Sequence, residues 1–548
     1  MLSSIALFAS LALAPPQEPV PTPQPANTWS ELVLRGGVVW TGAAPWPDGL
    51  DLSCRYELLE RSSARHEGHV VVELPSSAFV MPGLQDAHGH LLGLGSSLVE
   101  VDLVGTKSFQ EVVEKARAAA SKLPKGAWVV GRGWDQNDWD RQRMPNHRAL
   151  SEAVPEHPVW FTRVDGHAGL ANRLALESAG ITRDSVAPSG GEILFDDRGE
   201  PTGVLVDAAM GAVPEPAIGA AEIRRRLLFA QESCLRHGLT CVHDMGVSAA
   251  VLEQLVQLHR ENKWFLRTYV MLTPSERELI ERGPWQTPDG LITVRGVKAY
   301  ADGALGSRGA ALLEPYADRP GTRGLVSLPK GAIQVLAQFC ADHGMQLVTH
   351  AIGDQANRAV LDAYEAVKVE GGLAGRRFRV EHAQVIAADD FRRFEQLGVL
   401  PSMQPTHLTS DMPWAPDRLG PERTMRAYAW RTFHDLGVVV PFGSDFPVES
   451  VDPRMGLYAA VTTRAPSGGP ELRPDQKLSR ERALRGFTYD AAYGMHREQR
   501  LGTIEVRKYA DLTVFDRDLR TCPEAELLEA KVLLTVVGGR IVYDGRGE

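Results

Sequence analysis

Eight short apolar runs recur along the central part of this chain, and most are separated by amphipathic stretches with helical spacing. Each run is almost continuously apolar, as expected of a strand that is buried on both faces of a parallel sheet. Strand–helix units in this number predict an α/β fold, a (β/α)8 TIM barrel. A doubly wound open sheet is the alternative, but no Gly-x-Gly-x-x-Gly motif follows the first run, which favours the barrel. The runs are SAFVMPGLQDAHGH, GLTCVHDMG, FLRTYVMLT, TVRGVKAYADG, MQLVTHAIGD, FRVEHAQV, GVLPSMQPTH and GVVVPFGSD.

The gap between the first and second runs, from Leu91 to Arg236, is too long for a single crossover and predicts an inserted subdomain over about 105–235. Both chain ends are rich in β-branched residues, in segments such as HVVVELPSSAFVMPG and KVLLTVVGGRIVYDG. We therefore expect residues 27–80 and 499–548 to form one small β-sandwich beside a barrel over 81–498. Two independent β-domains are the alternative on pattern alone.

The first 14 residues, MLSSIALFASLALA, are apolar but shorter than the ~20 residues that span a bilayer. Ala12-Leu13-Ala14 resembles a signal-peptidase site and a proline-rich stretch follows it, so residues 1–26 are predicted to be a signal peptide and a tether. The prediction is a soluble, exported protein in the periplasm or outside the cell. No Lys or Arg precedes the run and Pro15 directly follows the cut, so a disordered N-terminus is the alternative.

The charge balance argues against nucleic-acid binding, and the cysteine spacing argues against a metal site held by cysteines. Lys and Arg total 59 against 69 for Asp and Glu, and no concentrated basic face is apparent, which argues against nucleic acid as a partner. No later segment approaches membrane length, so we expect no membrane insertion of the mature chain. The five cysteines are scattered without a Cys-x-x-Cys pair, so a metal would be held by His and carboxylate. The expected partner is a small-molecule substrate, and a homodimer is also allowed.

Polar residues stand at the ends of the eight runs, where the active sites of barrels lie. The first run closes with His88 and His90, and this i, i+2 spacing on a strand presents two imidazoles to the same side. A single histidine at a strand end is most often just a hydrogen-bonded polar residue. The coincidence across five strands nevertheless points to a shared metal site. The full set is His88, His90, His243, Lys298, His350, His382, His407 and Asp445.

The order of these motifs resembles the amidohydrolase superfamily. Within it the chain is most similar to the YtcJ-like branch, which includes N-substituted formamide deformylases. The resemblance extends from about Glu31 to the C-terminus and implies the barrel with its end-built β-sandwich. The motifs that carry it are PGLQDAHGH at 82–90, HDMG at 243–246, VKAYADGALGSRGA at 297–310, Thr349-His350, EHAQ at 381–384 and GSDFPV at 443–448.

The resemblance implies a binuclear metal centre with Lys298 as a carbamate, formed with carbon dioxide, that bridges two ions. Burial lowers the pKa of a lysine, so its neutral amine can capture carbon dioxide. A salt-bridged Lys298 and a mononuclear site are the alternatives. Two zinc ions are the default, and iron, manganese or cobalt also suit His and carboxylate ligands. The implied ligands are His88, His90 and Asp445 for the more buried ion, Lys298 for the bridge, and His350 and His382 for the second ion.

The resemblance also implies roles in catalysis and substrate binding. Asp445 would take a proton from metal-bound water and pass it to the leaving nitrogen, with a purely turn-stabilising role as the alternative. Arg308 would suit a substrate carboxylate and Asp302 would pair with it, whereas core packing explains Trp134 equally well. His243 and Asp244 are expected to orient loops. The implied substrate-binding residues are Trp134, His167, Asp302, Arg308, Gln404 and His407.

These features together predict a metal-dependent hydrolase that acts on a non-peptide C–N bond, amide or formamide-like, of a small molecule. Three alternatives stay open: a metal-dependent isomerase or lyase, an ester or lactone hydrolase, and a catalytically idle binding protein on the same fold. All the implied ligand positions are filled, whereas a retired site usually loses some of them. The sequence does not identify the substrate.

Overall fold

A computed structural model describes residues 32–45, 51–55, 57–60, 70–141, 143–163, 168–188, 191–214 and 218–547. The predicted signal peptide and tether at 1–26 lie outside these residues. Within the described ranges, no helix combines the length and the apolar composition needed to pass through a bilayer.

The strands of the described chain are β1 (Leu32–Arg35), β2 (Val38–Val39), β3 (Leu52–Arg55), β4 (Leu58–Glu60), β5 (Val70–Glu73), β6 (Phe79–Pro82), β7 (Leu84–Gly89), β8 (Val101–Asp102), β9 (Val129–Trp134), β10 (Val159–Arg163), β11 (Ala168–Ala171), β12 (Gly191–Phe195), β13 (Pro201–Asp207), β14 (Leu239–Val247), β15 (Arg267–Leu272), β16 (Trp285–Gln286), β17 (Ile292–Tyr300), β18 (Gln346–Ala351), β19 (Arg379–His382), β20 (Leu400–Ser402), β21 (Leu512–Phe515), β22 (Val532–Val537) and β23 (Arg540–Asp544).

The α-helices are α1 (Leu91–Val99), α2 (Phe109–Ala120), α3 (Arg148–Ala153), α4 (Arg173–Ser178), α5 (Ala220–Arg236), α6 (Ala249–Arg260), α7 (Arg277–Glu281), α8 (Lys330–Asp342), α9 (Asp354–Glu365), α10 (Phe391–Leu397), α11 (Pro405–Asp411), α12 (Ala415–Thr424), α13 (Trp430–Asp435), α14 (Pro453–Thr462), α15 (Arg480–Gly486) and α16 (Tyr489–Gly494).

Seven strands form the parallel sheet of the barrel, in the order β7, β14, β15, β17, β18, β19 and β20. The eighth predicted strand, at 437–445, is not a regular strand. Pro441 offers no N–H to a ladder, and Asp445 has a left-handed backbone with φ 66°. The same segment still bridges Met403 on one side and Gly89 of β7 on the other, in parallel fashion, and so closes the sheet. The predicted α/β fold with a (β/α)8 barrel is confirmed.

The outer helices cover the sheet with their apolar faces. Helix α6 begins after Ser248, whose hydroxyl accepts the N–H of Val251 and so satisfies one free donor of the first turn. Its buried residues Val251, Leu255 and Leu258 recur with helical spacing and pack into the same core as Val270 of β15. Because helices surround the sheet, polar side chains converge at the ends of the strands.

Both ends of the described chain contribute to two sheets that share one apolar core. One sheet has the order β4-β3-β1-β5, and the other has the order β2-β6-β21-β22-β23. In the second sheet, β6 pairs antiparallel with β21, and Phe79 lies opposite Phe515. Leu32 of the first sheet and Leu534 of the second belong to one buried cluster. Strand β6 continues through Gly83 into β7, so these sheets hold the start of the barrel.

Between α1 and α5 the chain forms a six-stranded mixed sheet of order β12-β13-β11-β10-β9-β8. This sheet and its helices have an apolar core of their own, which includes Trp139 and Phe161. Helix α5 returns the chain to the barrel and packs against α1. The two helices touch at Gly95, where an added Cβ would meet the carbonyl oxygen of Arg226 at 2.0 Å. The predicted domain boundaries stay predictions.

A buried ion pair joins barrel strand β15 to the segment that enters β21. Arg267 Nε and Nη2 donate to the Asp511 carboxylate at 2.6 and 3.0 Å, and both side chains are at most 4% exposed. Arg267 Nη1 also donates to the carbonyl of Asp289 at 3.0 Å, and the guanidinium lies 4.0 Å from the ring centre of Tyr509. Each charge compensates the other's loss of hydration only while both are present.

We predict that Arg267→Met lowers the free energy of unfolding by about 3–5 kcal/mol, because it leaves the Asp511 carboxylate buried without a cation. Urea unfolding followed by tryptophan fluorescence measures the change. Lys125→Met is the control, since Lys125 Nζ lies 2.5 Å from Glu156 Oε1 in an exposed pair that water screens, and it should change little. Equal losses in the two variants would contradict this prediction.

Candidate metal centre

The carboxyl ends of the barrel strands converge on one cavity of about 410 Å³. The ligand atoms of His88, His382 and Asp445 lie within 4.8 Å of one another, a spacing that allows all three to reach one metal ion. The structure brings all the implied metal ligands to the lining of this cavity, namely His88, His90, Lys298, His350, His382 and Asp445.

Three of these histidines share one ring orientation, in which Nδ1 donates away from the cavity. Their acceptors are a carboxylate, a backbone carbonyl and a side-chain amide oxygen, none of which carries a proton to give. Nδ1 therefore holds the ring proton, and Nε2 keeps a lone pair. The three bonds are His88 Nδ1 to Glu381 Oε2 (2.5 Å), His90 Nδ1 to Met245 O (3.2 Å) and His382 Nδ1 to Gln404 Oε1 (2.8 Å).

Burial keeps two of these rings uncharged. The pKa of His88 is held well below its usual value, first by burial and then by the nearby Lys298. The pKa of His382 is also well below its usual value, first through burial and then through His350. A neutral imidazole whose outer nitrogen is tied by a hydrogen bond is the form in which histidine binds a metal.

Asp445 places a carboxylate among the free lone pairs. Its Oδ1 lies 3.1 Å from His90 Nε2 and 3.4 Å from His88 Nε2, and its Oδ2 lies 3.7 Å from His407 Nε2. A carboxylate oxygen and imidazole lone pairs at these distances repel one another unless a cation or a proton stands between them. The donor set therefore fits a divalent metal ion.

Asp86 fixes the position of Asp445 relative to His88. Its carboxylate accepts the Ser444 hydroxyl at 2.6 Å and the backbone N–H groups of Ser444 and His88, each at 3.0 Å. Asp445 N–H then donates to the carbonyl of His88 at 2.7 Å. Burial raises the pKa of Asp86 to about 7. The sequence interpretation missed this role, although Asp86 stands two residues before His88 in the quoted motif.

Lys298 is buried at the inner end of the cavity. Its Nζ lies 3.2 Å from His88 Nε2 and 5.0 Å from the ring centre of Tyr300. Burial lowers the pKa of Lys298 to about 8, although the negative charges of Glu381 and Asp445 oppose the change. No carboxylate among the described residues pairs with the amine at salt-bridge distance, so the simple salt-bridged lysine is not what the structure contains.

A buried guanidinium lies beneath the histidines. Arg379 Nη2 donates to Glu381 Oε2 at 3.0 Å, to the carbonyl of Ala87 at 2.6 Å and to Ser402 Oγ at 2.7 Å. Its Nη1 donates to His243 Nδ1 at 2.9 Å. His243 faces this guanidinium and is not part of the cavity lining. Arg379 and Glu381 are both fully buried. This network orients the carboxylate that in turn orients the imidazole of His88.

Asp302 was expected to bind substrate but does not line the cavity. Its carboxylate accepts the N–H groups of Ala311 and Gly353 at 2.8 Å and of Ile352 at 3.0 Å. Asp302 Oδ1 also lies 3.5 Å from His350 Nε2, which makes no hydrogen bond to any described residue. Asp302 thus organises the loops after β17 and β18.

The expected pair between Asp302 and Arg308 does not form, and that prediction is wrong. Arg308 pairs with Asp318 instead, with Nη2 to Oδ2 at 2.7 Å and Nε to Oδ1 at 3.2 Å. Arg308 is absent from the described lining of the cavity. Asp302 already accepts three backbone N–H groups, whereas Asp318 lies within reach of Arg308 and also pairs with Arg418.

Of the remaining implied substrate-binding residues that the structure describes, His407 alone lines the cavity. Trp134 is buried in the core of the inserted sheet, where Nε1 donates to the carbonyl of Phe161 at 2.9 Å, so core packing explains it. His167 lies outside the described residues. Gln404 holds the ring of His382 from outside the lining. His407 lines the cavity, and its ring stacks on His382 with centres 5.6 Å apart.

Known proteins similar to most of this chain include ones named as an amidohydrolase and as a deformylase. A family model described as the amidohydrolase family matches residues 77–543. The putative amidohydrolase YtcJ of Bacillus subtilis (strain 168) is 31% identical over 482 residues, which cover 86% of this chain and 90% of that protein. N-substituted formamide deformylase of Arthrobacter pascens is 28% identical over 499 residues, which cover 86% of this chain and 90% of that protein.

A solved structure supports the same assignment of the fold. The crystal structure of an uncharacterized metal-dependent hydrolase from Pyrococcus horikoshii OT3 matches with a TM-score of 0.78 at 28% identity. The match covers 90% of this chain and 99% of that chain. The resemblance read from the sequence motifs is thereby confirmed.

We predict that Glu381→Gln lowers metal affinity roughly 10- to 100-fold, because an amide orients and polarises the His88 ring less strongly than a carboxylate. Competition with a chromophoric chelator measures this without any need for turnover. Asp390→Asn serves as the control, because Asp390 is an equally buried carboxylate that pairs with Arg358. An unchanged affinity in Glu381→Gln would exclude the proposed coupling.

Proposed function

This chain belongs to the amidohydrolase family, and from that premise we propose that it hydrolyses a non-peptide C–N bond, amide or formamide-like, in a small molecule. The relative named N-substituted formamide deformylase supports this choice of bond. The metal-dependent hydrolase from Pyrococcus horikoshii supports the use of a metal.

One observation carries this proposal. His88, His90 and His382 all donate through Nδ1 to fixed acceptors, and the ligand atoms of His88, His382 and Asp445 cluster within 4.8 Å. A purely structural group of histidines would have no reason to leave its lone pairs facing a carboxylate. A site of this kind, with cavity space beside it, suits hydrolysis at a bound metal.

Asp445 and His407 are the residues of the chain that would take part in the reaction beside the metal. The metal, when bound, would act as a Lewis acid and lower the pKa of a water molecule towards ~7. Asp445 would lie against the bound metal, and a cation beside a carboxyl lowers its pKa, which would keep Asp445 ionised. Asp445 can therefore accept a proton at neutral pH and return it to the leaving nitrogen. His407 Nε2 lies 3.7 Å from Asp445 and has no hydrogen-bond partner among the described residues, so it is available to the substrate.

We also propose that the centre holds two zinc ions bridged by a carbamate on Lys298. The lowered pKa of Lys298, about 8, supports this, since the neutral amine is the form that captures carbon dioxide. His88, His90 and Asp445 would hold the inner ion, and His350 and His382 the outer one. Imidazole and carboxylate donors suit zinc, while iron, manganese and cobalt have similar preferences.

Three further parts of the proposal rest on the sequence alone. Residues 1–14 would direct export to the periplasm or beyond and be removed after Ala14, and the proline-rich stretch up to residue 26 would be a tether. The substrate would be a small molecule rather than nucleic acid, in line with the net charge of -10. A homodimer stays a prediction.

An activity screen over N-formyl, N-acyl and cyclic amides, with metal analysis of the same preparations, tests the proposed reaction. Release of the free amine from at least one of these classes is the expected result. Esters and lactones belong in the same screen, because turnover restricted to them would assign the site to the alternative hydrolase class.

We predict that Lys298→Ala loses metal as well as activity, since it removes the proposed bridge between the ions. Elemental analysis and turnover measure the two effects, and short carboxylic acids added to the variant should restore part of the activity. Lys508→Ala is the control, because Lys508 is also buried but lies outside the cavity. Unchanged metal content and full activity in Lys298→Ala would contradict the carbamate bridge, and one metal ion per active wild-type chain would leave a mononuclear site as the correct description.

Asp445→Asn is expected to act differently, because a neutral amide can still sit beside the metal but cannot accept a proton. Turnover should fall by roughly 10²- to 10⁴-fold, the usual size of a general acid–base contribution, while most of the metal is retained. Steady-state kinetics and elemental analysis of the same sample check both parts. A variant with normal turnover would show that another group moves the proton.

A further inference from the structure

The outer part of the cavity differs chemically from the metal end. Its lining includes Gln384, Asp411 and Glu449. Asp411 is the last residue of α11, one helical turn or about 6 Å beyond His407. Glu449 lies in the turn that follows Asp445. Two carboxylates therefore belong to the same cavity, beyond the residues that face the metal.

Asp411 is held in place by neutral groups. Tyr428 donates its hydroxyl to Asp411 Oδ2 at 2.7 Å, and Gln384 Nε2 donates to the same oxygen at 2.8 Å. Within the described part of the chain, Asp411 Oδ1 accepts no hydrogen bond. Burial raises the pKa of Asp411 to about 6, so this carboxylate is still mostly ionised at pH 7 and above.

Apart from His407, one helical turn from Asp411, no cationic side chain faces this end of the cavity in the ranges that the structure describes. Glu449 makes neither an ion pair nor a hydrogen bond there, and its charge adds to that of Asp411. The nearest lysine in the lining, Lys298, is at the other end, beside His88. Arg308 is paired with Asp318 and does not line the cavity. Two like charges in a partly buried space repel each other, and a cation that binds between them relieves the repulsion.

Gln384 provides an independent sign of a ligand. The residue is only 4% exposed, and its amide nitrogen donates to Asp411 and to Tyr428. Its Oε1 accepts no hydrogen bond from any described residue, although Gln384 lines the cavity. This oxygen is open to the cavity rather than sealed in the core, so it is free to accept a hydrogen bond from a ligand there.

We propose that Gln384, Asp411 and Glu449 bind a protonated amine, and that the substrate is an N-formyl or N-acyl compound with a free ammonium group at its far end. This inference rests on the proposed hydrolysis at the metal end. Leu305 and Trp414 line the cavity as well and suit a hydrocarbon spacer. A substrate carboxylate, which Arg308 was expected to bind, would be repelled here.

Two probes of equal length test the proposal: a diaminoalkane formylated on one nitrogen, and the N-alkylformamide that ends in a methyl group. Wild-type protein should show a kcat/KM about tenfold higher for the ammonium probe. Glu449→Gln keeps the side-chain shape but removes its charge, so it should lower this preference about tenfold. Glu422→Gln is the control, because Glu422 is an exposed carboxylate outside the cavity, paired with Arg426. Its preference should equal that of the wild type.

Calorimetric binding separates a failure of this inference from a failure of the proposed reaction. Titration of zinc-loaded protein with both probes measures recognition even when neither is hydrolysed. Tighter binding of the ammonium probe, lost in Glu449→Gln, would uphold the inference while the reaction itself fails. Equal affinity for the two probes, or the same preference in Glu449→Gln as in wild type, would overturn it.

Discussion

The geometry of the site depends on one buried guanidinium. Arg379 donates to Ala87 of β7, His243 of β14, Ser402 of β20 and Glu381 of its own strand, and so links four strands at one point inside the barrel. A planar group with five fixed donors can do this, whereas the single ammonium of a lysine cannot. Glu381 also accepts a hydrogen bond from His88, an implied metal ligand. The charge of Arg379 therefore both holds the barrel strands together and fixes the orientation of His88.

Both ends of the cavity need a positive charge, but of different kinds. At the inner end, imidazole lone pairs and a carboxylate converge and call for a metal cation. At the outer end, Asp411 and Glu449 are held by neutral neighbours or by none. Helix α11 links the two, because His407 and Asp411 lie one turn apart on it. The separation of the metal end from the proposed ammonium site is therefore set by one turn of this helix.

Much of this could be predicted from the sequence, since it depends on local patterns. The barrel strands follow from apolar periodicity, and the histidines at strand ends follow from the fold. The sequence did not predict which side chains pair with each other, because that depends on how the loops fold. Asp302 is taken by backbone donors and Arg308 by Asp318, which no spacing rule anticipates. The eighth strand lacks a regular ladder because Pro441 has no N–H to donate, and an apolar pattern alone does not reveal this.

The pairing of β6 with β21 has a consequence for synthesis of the protein. Strand β6 leads directly into β7, which carries the first histidines of the site, yet its partner strand comes from the far end of the described chain. On the ribosome, β7 emerges long before the strand that anchors its base. Until β21 is synthesised, the nascent chain therefore keeps an unpaired strand edge beside the first strand of the barrel. During this interval chaperones would bind the chain or it would aggregate.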